Sequence, residues 1–400
     1  MKGLLLLAHR IPYPPNKGDK IRSYHLLNYL SRTYRVYLGS FIDDSRDWAH
    51  VDTLTSLCAE TRFIPLHPLR ARVGSLLALA TGQPLSVRYY WSHALKRWVD
   101  GLLDAGTVQR VLIFSSAMAQ YLPATLPEGI RRVIDFVDMD SDKWRQYRRS
   151  KPWPMSWIYA REGASLFAFE RRQAMQSEAS VFVSEAEAAL FKTRAPEAAE
   201  RVTYIENGVD TEYFAPYRDY PNPYPKGSLI LVFTGAMDYW ANVDAVCWFA
   251  KEVFPTVQAR LPAARFYIVG AKPTETVRGL TAIPGVFVTG AVDDVRPYLA
   301  HATAAVAPLR IARGVQNKVL EAMAMAKPVL ATPKAMEGIR ASPALRSLIV
   351  QGREQAIARS LSVLSGPDQG MGELARQSVL RDYNWKENLK RITQLLEGTP

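Results

Sequence analysis

The sequence predicts an α/β protein made of two doubly wound, Rossmann-like domains. Three observations lead there. Apolar runs rich in leucine and β-branched residues alternate with amphipathic helical stretches in both halves, 400 residues suffice for two cores, and a Pro/Tyr-rich stretch breaks the alternation near the middle. In the first half the pattern predicts strands at 3–7, 36–42, 62–66, 111–115, 133–137 and 180–184. In the second half it predicts strands at 229–234, 265–270, 286–289, 304–307, 328–331 and 348–350. Between them PYRDYPNPYPKG, residues 216–227, holds four prolines and three tyrosines and reads as a surface linker or domain entrance, so the boundary falls between Asn207 and Lys226. The expected domains are 1–210 and 211–384, with a terminal helix at 385–400 packing back on the first.

Composition narrows the class. At 48% hydrophobic the chain is not disordered, and Cys58 and Cys247 have neither CxxC nor Cys/His spacing, which argues against a structural metal and a disulfide framework. A reducing, cytoplasmic setting is expected. The opening MKGLLLLAHR has five apolar residues in a row and suits a buried strand better than a signal core or a membrane span; the run 73–80 is also too short to span. The net charge of +12 is uneven, because 143–172 carries eight basic residues against Glu162 and Glu170. Trp144, Trp153 and Trp157 are interleaved with them, which suits an anionic membrane surface on the inner face of the plasma membrane; solvated basic faces with core tryptophans are the plain alternative. No nucleic-acid-binding motif accompanies the patch, so nucleic acid is not an expected partner.

The stretch PLRIARGVQNKVLEAMAMAKPVL, residues 308–330, reads as strand end, glycine loop, helix and next strand. Arg313, Gly314, Val315, Gln316 and Asn317 can turn backbone N–H groups toward an anion at the positive end of a helix dipole. Lys318 stands in the first turn, where a cation makes sense beside a bound diphosphate, and Glu321 follows on the same face, suited to accept from ribose hydroxyls. Doubly wound sheets bind ligands beyond the carboxyl ends of their strands, and there the sequence places Gly235-Ala236, Gly270, Gly290 and Pro308. The absence of GxGxxG after any strand and of GxxxxGK[ST] disfavours a dehydrogenase and a P-loop NTPase.

Ile205-Glu206-Asn207-Gly208-Val209-Asp210 with Tyr213-Phe214, and Leu320-Glu321-Ala322-Met323-Ala324 with Lys327-Pro328-Val329, resemble the signatures of glycosyltransferase family 4, the group 1 glycosyltransferases. Val183-Ser184-Glu185 and Tyr383-Asn384-Trp385 match weaker elements. Within that family the closest likeness is to sugar transferases of exosortase and exopolysaccharide systems, through Ile11 to Pro15, Gly18 to Arg22, Asp138 to Trp144 and Phe233 to Tyr239. The resemblance implies a GT-B architecture, two Rossmann-like domains facing a central cleft. It also implies retaining, metal-independent transfer of a hexose from a UDP- or GDP-sugar to a glycan or polyprenyl-diphosphate-linked acceptor, with no cofactor and with Glu321 on the donor ribose. Two departures stand out. Arg313 occupies the place of a second glutamate eight residues before Glu321, and Met237 to Trp240 replaces the usual Arg and Lys after the first donor strand. Arg310, Arg313 and Lys318 are then the candidates for neutralising the departing diphosphate.

The first domain is expected to hold the acceptor, with Lys17, Gly18, Asp19 and Arg22 after its first strand; Asp19 suits a helix cap, and Lys17 and Arg22 suit phosphate or a solvated surface. Asp138-Met139-Asp140 keeps three readings open: a metal-binding DxD, an acceptor-side polar role, and helix capping by Asp140 or Ser141. Asp138 is also the best placed base should the transfer invert. A sugar-nucleotide epimerase and a non-catalytic nucleotide-sugar-binding scaffold remain as alternative functions.

Overall fold

The computed structural model describes residues 1–15, 18–148, 152–312, 315–340, 343–346, 348–366 and 370–399. The chain forms two compact units, Met1–Glu206 with Lys386–Pro400, and Asn207–Trp385. Lys17, Arg313 and Gly314 lie outside the described residues.

Unit 1 is a seven-stranded parallel sheet of β1 (Gly3–Ala8), β2 (Arg35–Ile42), β3 (Glu60–Pro65), β4 (Arg110–Phe114), β5 (Arg131–Val137), β6 (Ala179–Phe182) and β7 (Val202–Tyr204), in the order β3-β2-β1-β4-β5-β6-β7. The leucine run of β1 is buried throughout, as a central strand covered on both faces requires. Strand β7 was not foreseen: three residues at a sheet edge carry no periodicity to read. The helix Trp385–Glu397 contributes Glu397, whose carboxylate accepts from Lys2 at 2.5 Å, Tyr34 Oη at 2.8 Å and Arg110 at 2.9 Å.

Unit 2 is a five-stranded parallel sheet of β8 (Leu229–Thr234), β9 (Ala264–Val269), β10 (Val286–Gly290), β11 (Ala304–Ala307) and β12 (Val329–Ala331), in the order β10-β9-β8-β11-β12. Residues 348–350, expected as a strand, make only a single bridge, Ile349 to Ala331, because β12 itself is three residues long. The segment 216–227 lies within unit 2 and is exposed at most positions, but two of its tyrosines anchor it. Tyr220 and Tyr224 are buried, the Tyr224 hydroxyl donates to the Tyr298 carbonyl at 2.7 Å, and its ring meets Tyr267 edge-on at 4.7 Å. Prolines remove donors and helix propensity here, but the tyrosines still seek apolar cover.

Two of the sequence signatures meet inside this unit. Val209 N–H donates to the Tyr383 carbonyl at 2.9 Å and pairs with Asn384 as a parallel bridge. A Cβ on Gly208 would stand 2.6 Å from Trp385 N, so only glycine allows the two segments to close. Asp210 then accepts from the N–H groups of Glu212 and Tyr213 at 3.2 and 2.8 Å, turning the chain.

Candidate functional site

In unit 2 the strand order reverses between β8 and β11, so a crevice opens beyond their carboxyl ends. One lip is Gly235-Ala236 after β8; the other runs from Pro308 after β11 to Val315, Gln316 and the helix Asn317–Ala324. That helix has an extended amino-terminal residue, Gln316, and no side chain caps it. Unshared N–H groups at such an end attract an anion. The Asn317 Oδ1 is buried without a hydrogen-bond partner.

Lys318 ties the lips together. Its Nζ donates to Asn242 Oδ1 at 2.5 Å and lies 4.8 Å from the Phe233 ring centroid, while Asn242 Nδ2 donates to the Ala236 carbonyl at 2.8 Å. Burial lowers the Lys318 ammonium to about 8, partly opposed by Glu321. Burial likewise pushes the Glu321 carboxyl up to about 7, and Lys318 pulls it the other way. The two groups stand in a poorly solvated recess, where burial shifts each toward its own neutral form. A diphosphate would favour the charged lysine, and two vicinal hydroxyls would favour the charged carboxylate.

Gly270 has a different task from the one expected. A Cβ there would fall 1.7 Å from the Gly235 carbonyl oxygen, so its missing side chain lets the loops after β8 and β9 pack on each other rather than admitting a ligand. Gly290, at φ +74, ends β10 with open space around its Cα, and its carbonyl oxygen accepts from Gly270 N–H at 3.1 Å. Arg310 is drawn to the outer side of the crevice by Asp244, with Nε to Oδ2 at 2.9 Å. Asn242 and Asp244 had no sequence signal, since they act through Lys318 and Arg310, 76 and 66 positions away.

In unit 1 the order reverses between β1 and β4. His9 follows β1; its ring stacks on Phe114 at 5.8 Å, its Nε2 lies 3.4 Å from Asp19, and its Nδ1 is buried without a partner. Arg10 bridges Asp19 at 2.5 Å and Asp43 at 2.9 Å. Burial alone would raise the Asp19 carboxyl, but His9 and Arg10 hold it well below the usual carboxylate range. Asp19 is therefore no helix cap: it is the second residue of the helix Gly18–Leu30, with its carboxylate committed to His9 and Arg10. Arg22 is neither on the surface nor free for phosphate. It is 1% exposed, its Nε donates to Asp135 at 2.8 Å and its Nη1 to the Ile205 carbonyl at 2.9 Å. His9 was missed because a histidine after a strand is unremarkable until its neighbours are known.

Asp138 and Asp140 both accept from Lys143 Nζ, at 2.8 and 2.9 Å. Burial by itself would lower that ammonium, yet Asp140 and Asp138 raise it above its ordinary value. The pair thus brackets a cation of the chain's own. Among the described residues no group of three or more His, Cys, Asp or Glu side chains is arranged to hold a metal ion. The side chains expected to cap this helix are engaged elsewhere. Ser141 Oγ donates to Glu170 at 2.5 Å, and the N–H groups of Met139 and Ser141 go to Glu187 at 2.8 Å and Glu170 at 3.2 Å, so carboxylates from other helices satisfy this helix end. Val137 at φ +68 and Ser115 at φ +70 mark backbone strain at the carboxyl ends of β5 and β4, where sites gather.

Residues 228–365 match the family described as glycosyl transferases group 1. The matched stretch lies within unit 2. No curated protein matches the chain significantly. Among solved structures the chain is similar to a glycosyltransferase from Rickettsia africae, at 13% identity and TM-score 0.64, covering 99% of this chain and 98% of that one. It is also similar to WaaG, a glycosyltransferase involved in lipopolysaccharide biosynthesis, at 15% and 0.65 with 99% and 100% covered. A third likeness, at 15% and 0.61 with both chains fully covered, is to Anabaena Alr3699/HepE in complex with UDP. At such identities the likeness speaks for fold, and the fold is GT-B: two parallel-sheet, Rossmann-like domains.

Proposed function

We propose that the chain is a retaining, metal-independent glycosyltransferase of family 4 that moves a hexose from a UDP- or GDP-sugar to a glycan or polyprenyl-diphosphate-linked acceptor. Its setting would be the cytoplasmic stage of exopolysaccharide or other cell-surface polysaccharide synthesis, as in the exosortase-associated transferases it resembles. The observation that carries the reading is the recess of Lys318, Asn242 and Glu321 beside the uncapped helix Asn317–Ala324 at the β8/β11 reversal. Similar structures have been solved with UDP and with UDP-glucose, which supports a nucleotide donor.

In this reading the acceptor hydroxyl attacks the anomeric carbon as the bond to the diphosphate oxygen breaks, and that oxygen takes the hydroxyl proton on the same face. The chain's own work is positioning and charge stabilisation. Lys318 and the N–H groups of the helix end would receive the growing negative charge, Arg310 and Arg313 adding to the field, and Glu321 would orient the ribose. One such preorganised contact is worth about 3 kcal/mol of transition-state stabilisation. The test is a thermal-shift panel of nucleotide sugars on wild type and Glu321→Ala. A donor raises the unfolding temperature of the wild type and much less that of the variant. If no nucleotide shifts the wild type, or both proteins shift equally, the donor site is misassigned.

A further inference from the structure

We propose that unit 1 seats on an anionic lipid bilayer through the helices Pro68–Ser75 and Ala78–Thr81 together with Trp153 and Trp157. The first observation is an apolar surface with no cover. Leu69 is 76% exposed, and Val73, one turn on, with Leu76 and Leu77 are exposed as well. Four large aliphatic side chains outside within nine residues are more than soluble surfaces usually show. Trp153 is 81% exposed and Trp157 is exposed beside it.

Hydrogen bonds make these two sets neighbours. Arg161, one turn after Trp157 on the helix Met155–Gln176, donates to the carbonyls of Ala78 at 2.6 Å and Gln83 at 3.2 Å. Glu162 accepts from the N–H groups of Leu85 and Ser86 at 2.7 and 2.9 Å. The second turn of that helix, which follows the tryptophans, therefore lies beside 78–86, where the short helices end.

The charge says what covers this face. Between Glu60 and Asp100 the chain has no acidic residue and six basic ones, Arg62, Arg70, Arg72, Arg88, Lys96 and Arg97. Arg70 and Arg72 are exposed beside Leu69 and Val73. The carboxylate brought in by the neighbouring helix, Glu162, is buried at 0% exposure and already hydrogen-bonded, so it does not offset them. A cavity of about 340 Å³ lined by Phe41, Leu66, Leu77 and Trp91 as well as by Arg70 and Arg88 pairs an apolar interior with cations, as an anionic amphiphile would. Leucines and tryptophans beside arginines, on helices too short to span, suit the plane of the headgroups rather than the bilayer core. Among the described residues no helix is long and apolar enough to cross a membrane. The patch shares only Trp153 and Trp157 with the stretch that composition singled out. Within 143–172, Lys143 is held by Asp138 and Asp140, and Arg171 pairs with Glu197.

The experiment is flotation of the purified full chain with vesicles of phosphatidylcholine alone and of phosphatidylcholine with phosphatidylglycerol. Wild type is expected to float with the anionic vesicles only. Leu69→Asp/Val73→Asp/Leu77→Asp, which changes exposed side chains, should keep its unfolding temperature and lose flotation by about tenfold or more. Arg70→Gln and Arg72→Gln should each weaken it by about fivefold. The proposal is overturned if wild type ignores both vesicles, floats equally with both, or if the folded triple variant floats as wild type does. It is equally overturned if wild type stays off vesicles and forms a dimer that the triple variant dissociates, since that face would then be a protein contact. None of these outcomes touches the donor site, which the nucleotide panel tests separately.

Discussion

Arg22→Met should destabilise unit 1 severely, although the sequence offers Arg22 as a surface or phosphate-binding residue. Its guanidinium is 1% exposed, and its Nε lies 2.8 Å from Asp135, which is itself 0% exposed. Removing one member of a buried ion pair leaves the other charged and unpaired, at a cost of about 3–5 kcal/mol. For a unit of this size that is a drop on the order of 10 °C in unfolding temperature. Asp135 adds a pH signature. Burial pushes its carboxyl up and Arg22 pulls it down. Without Arg22 the carboxyl titrates higher still. A group whose folded pKa is raised gives stability that is full below its unfolded pKa and is lost as pH rises through the folded one. The deficit of the variant should therefore be small in acid, grow with pH, and level off once Asp135 is ionised. Arg22→Met/Asp135→Asn should recover most of the loss, because the orphan charge is gone. Denaturant unfolding from acid to neutral pH reads all three proteins. A deficit under about 1 kcal/mol, or an intact fold with weakened donor binding, would refute the buried-pair argument and return Arg22 to the phosphate candidates.

Three further outcomes follow from the same geometry. Binding of a nucleoside diphosphate should weaken about tenfold as pH rises through about 8, where Lys318 loses its charge, and Lys318→Arg should flatten that profile; titration calorimetry at pH 7 and 9.5 decides it, and a flat wild-type profile counts against Lys318 as the phosphate cation. Gly270→Ala should cost several kcal/mol and weaken nucleotide binding together, since the new Cβ falls 1.7 Å from the Gly235 oxygen and must displace the loop after β8; unfolding and binding unchanged in the variant would remove that packing role. Burial raises Glu170 from 4.5 to about 8 against its hydrogen bonds from Ser141, so between those values wild-type stability should fall more steeply with pH than that of Glu170→Gln, and parallel pH curves for the two proteins would contradict the assignment.

How much was legible in the chain can be argued residue by residue. The twelve strands expected include eleven that form, and β8 and β11 have the predicted limits, because a buried parallel strand must be apolar throughout and its run ends where the backbone turns to water. Strand β7 and the bridge at Ile349 were misjudged for the opposite reason, as three residues hold too little pattern. Glu321 and Lys318 were legible because one helical turn brings them together, and local spacing is written in sequence. Asn242 next to Lys318, Asp135 against Arg22, and His9 with Asp19 and Arg10 depend on which loops the sheet order brings to one crevice.

By itself, then, the sequence determined two parallel α/β layers and the helix that carries Lys318 and Glu321, since hydrophobic period and i, i+3 spacing are local properties. The tertiary structure decided what each polar group does. It took Arg22 out of solvent, tied Asp19 to Arg10, gave Lys143 to the DMD aspartates, and left Leu69, Val73, Trp153 and Trp157 exposed. Burial and long-range pairing assign a charge its role, and neither exists until distant segments meet.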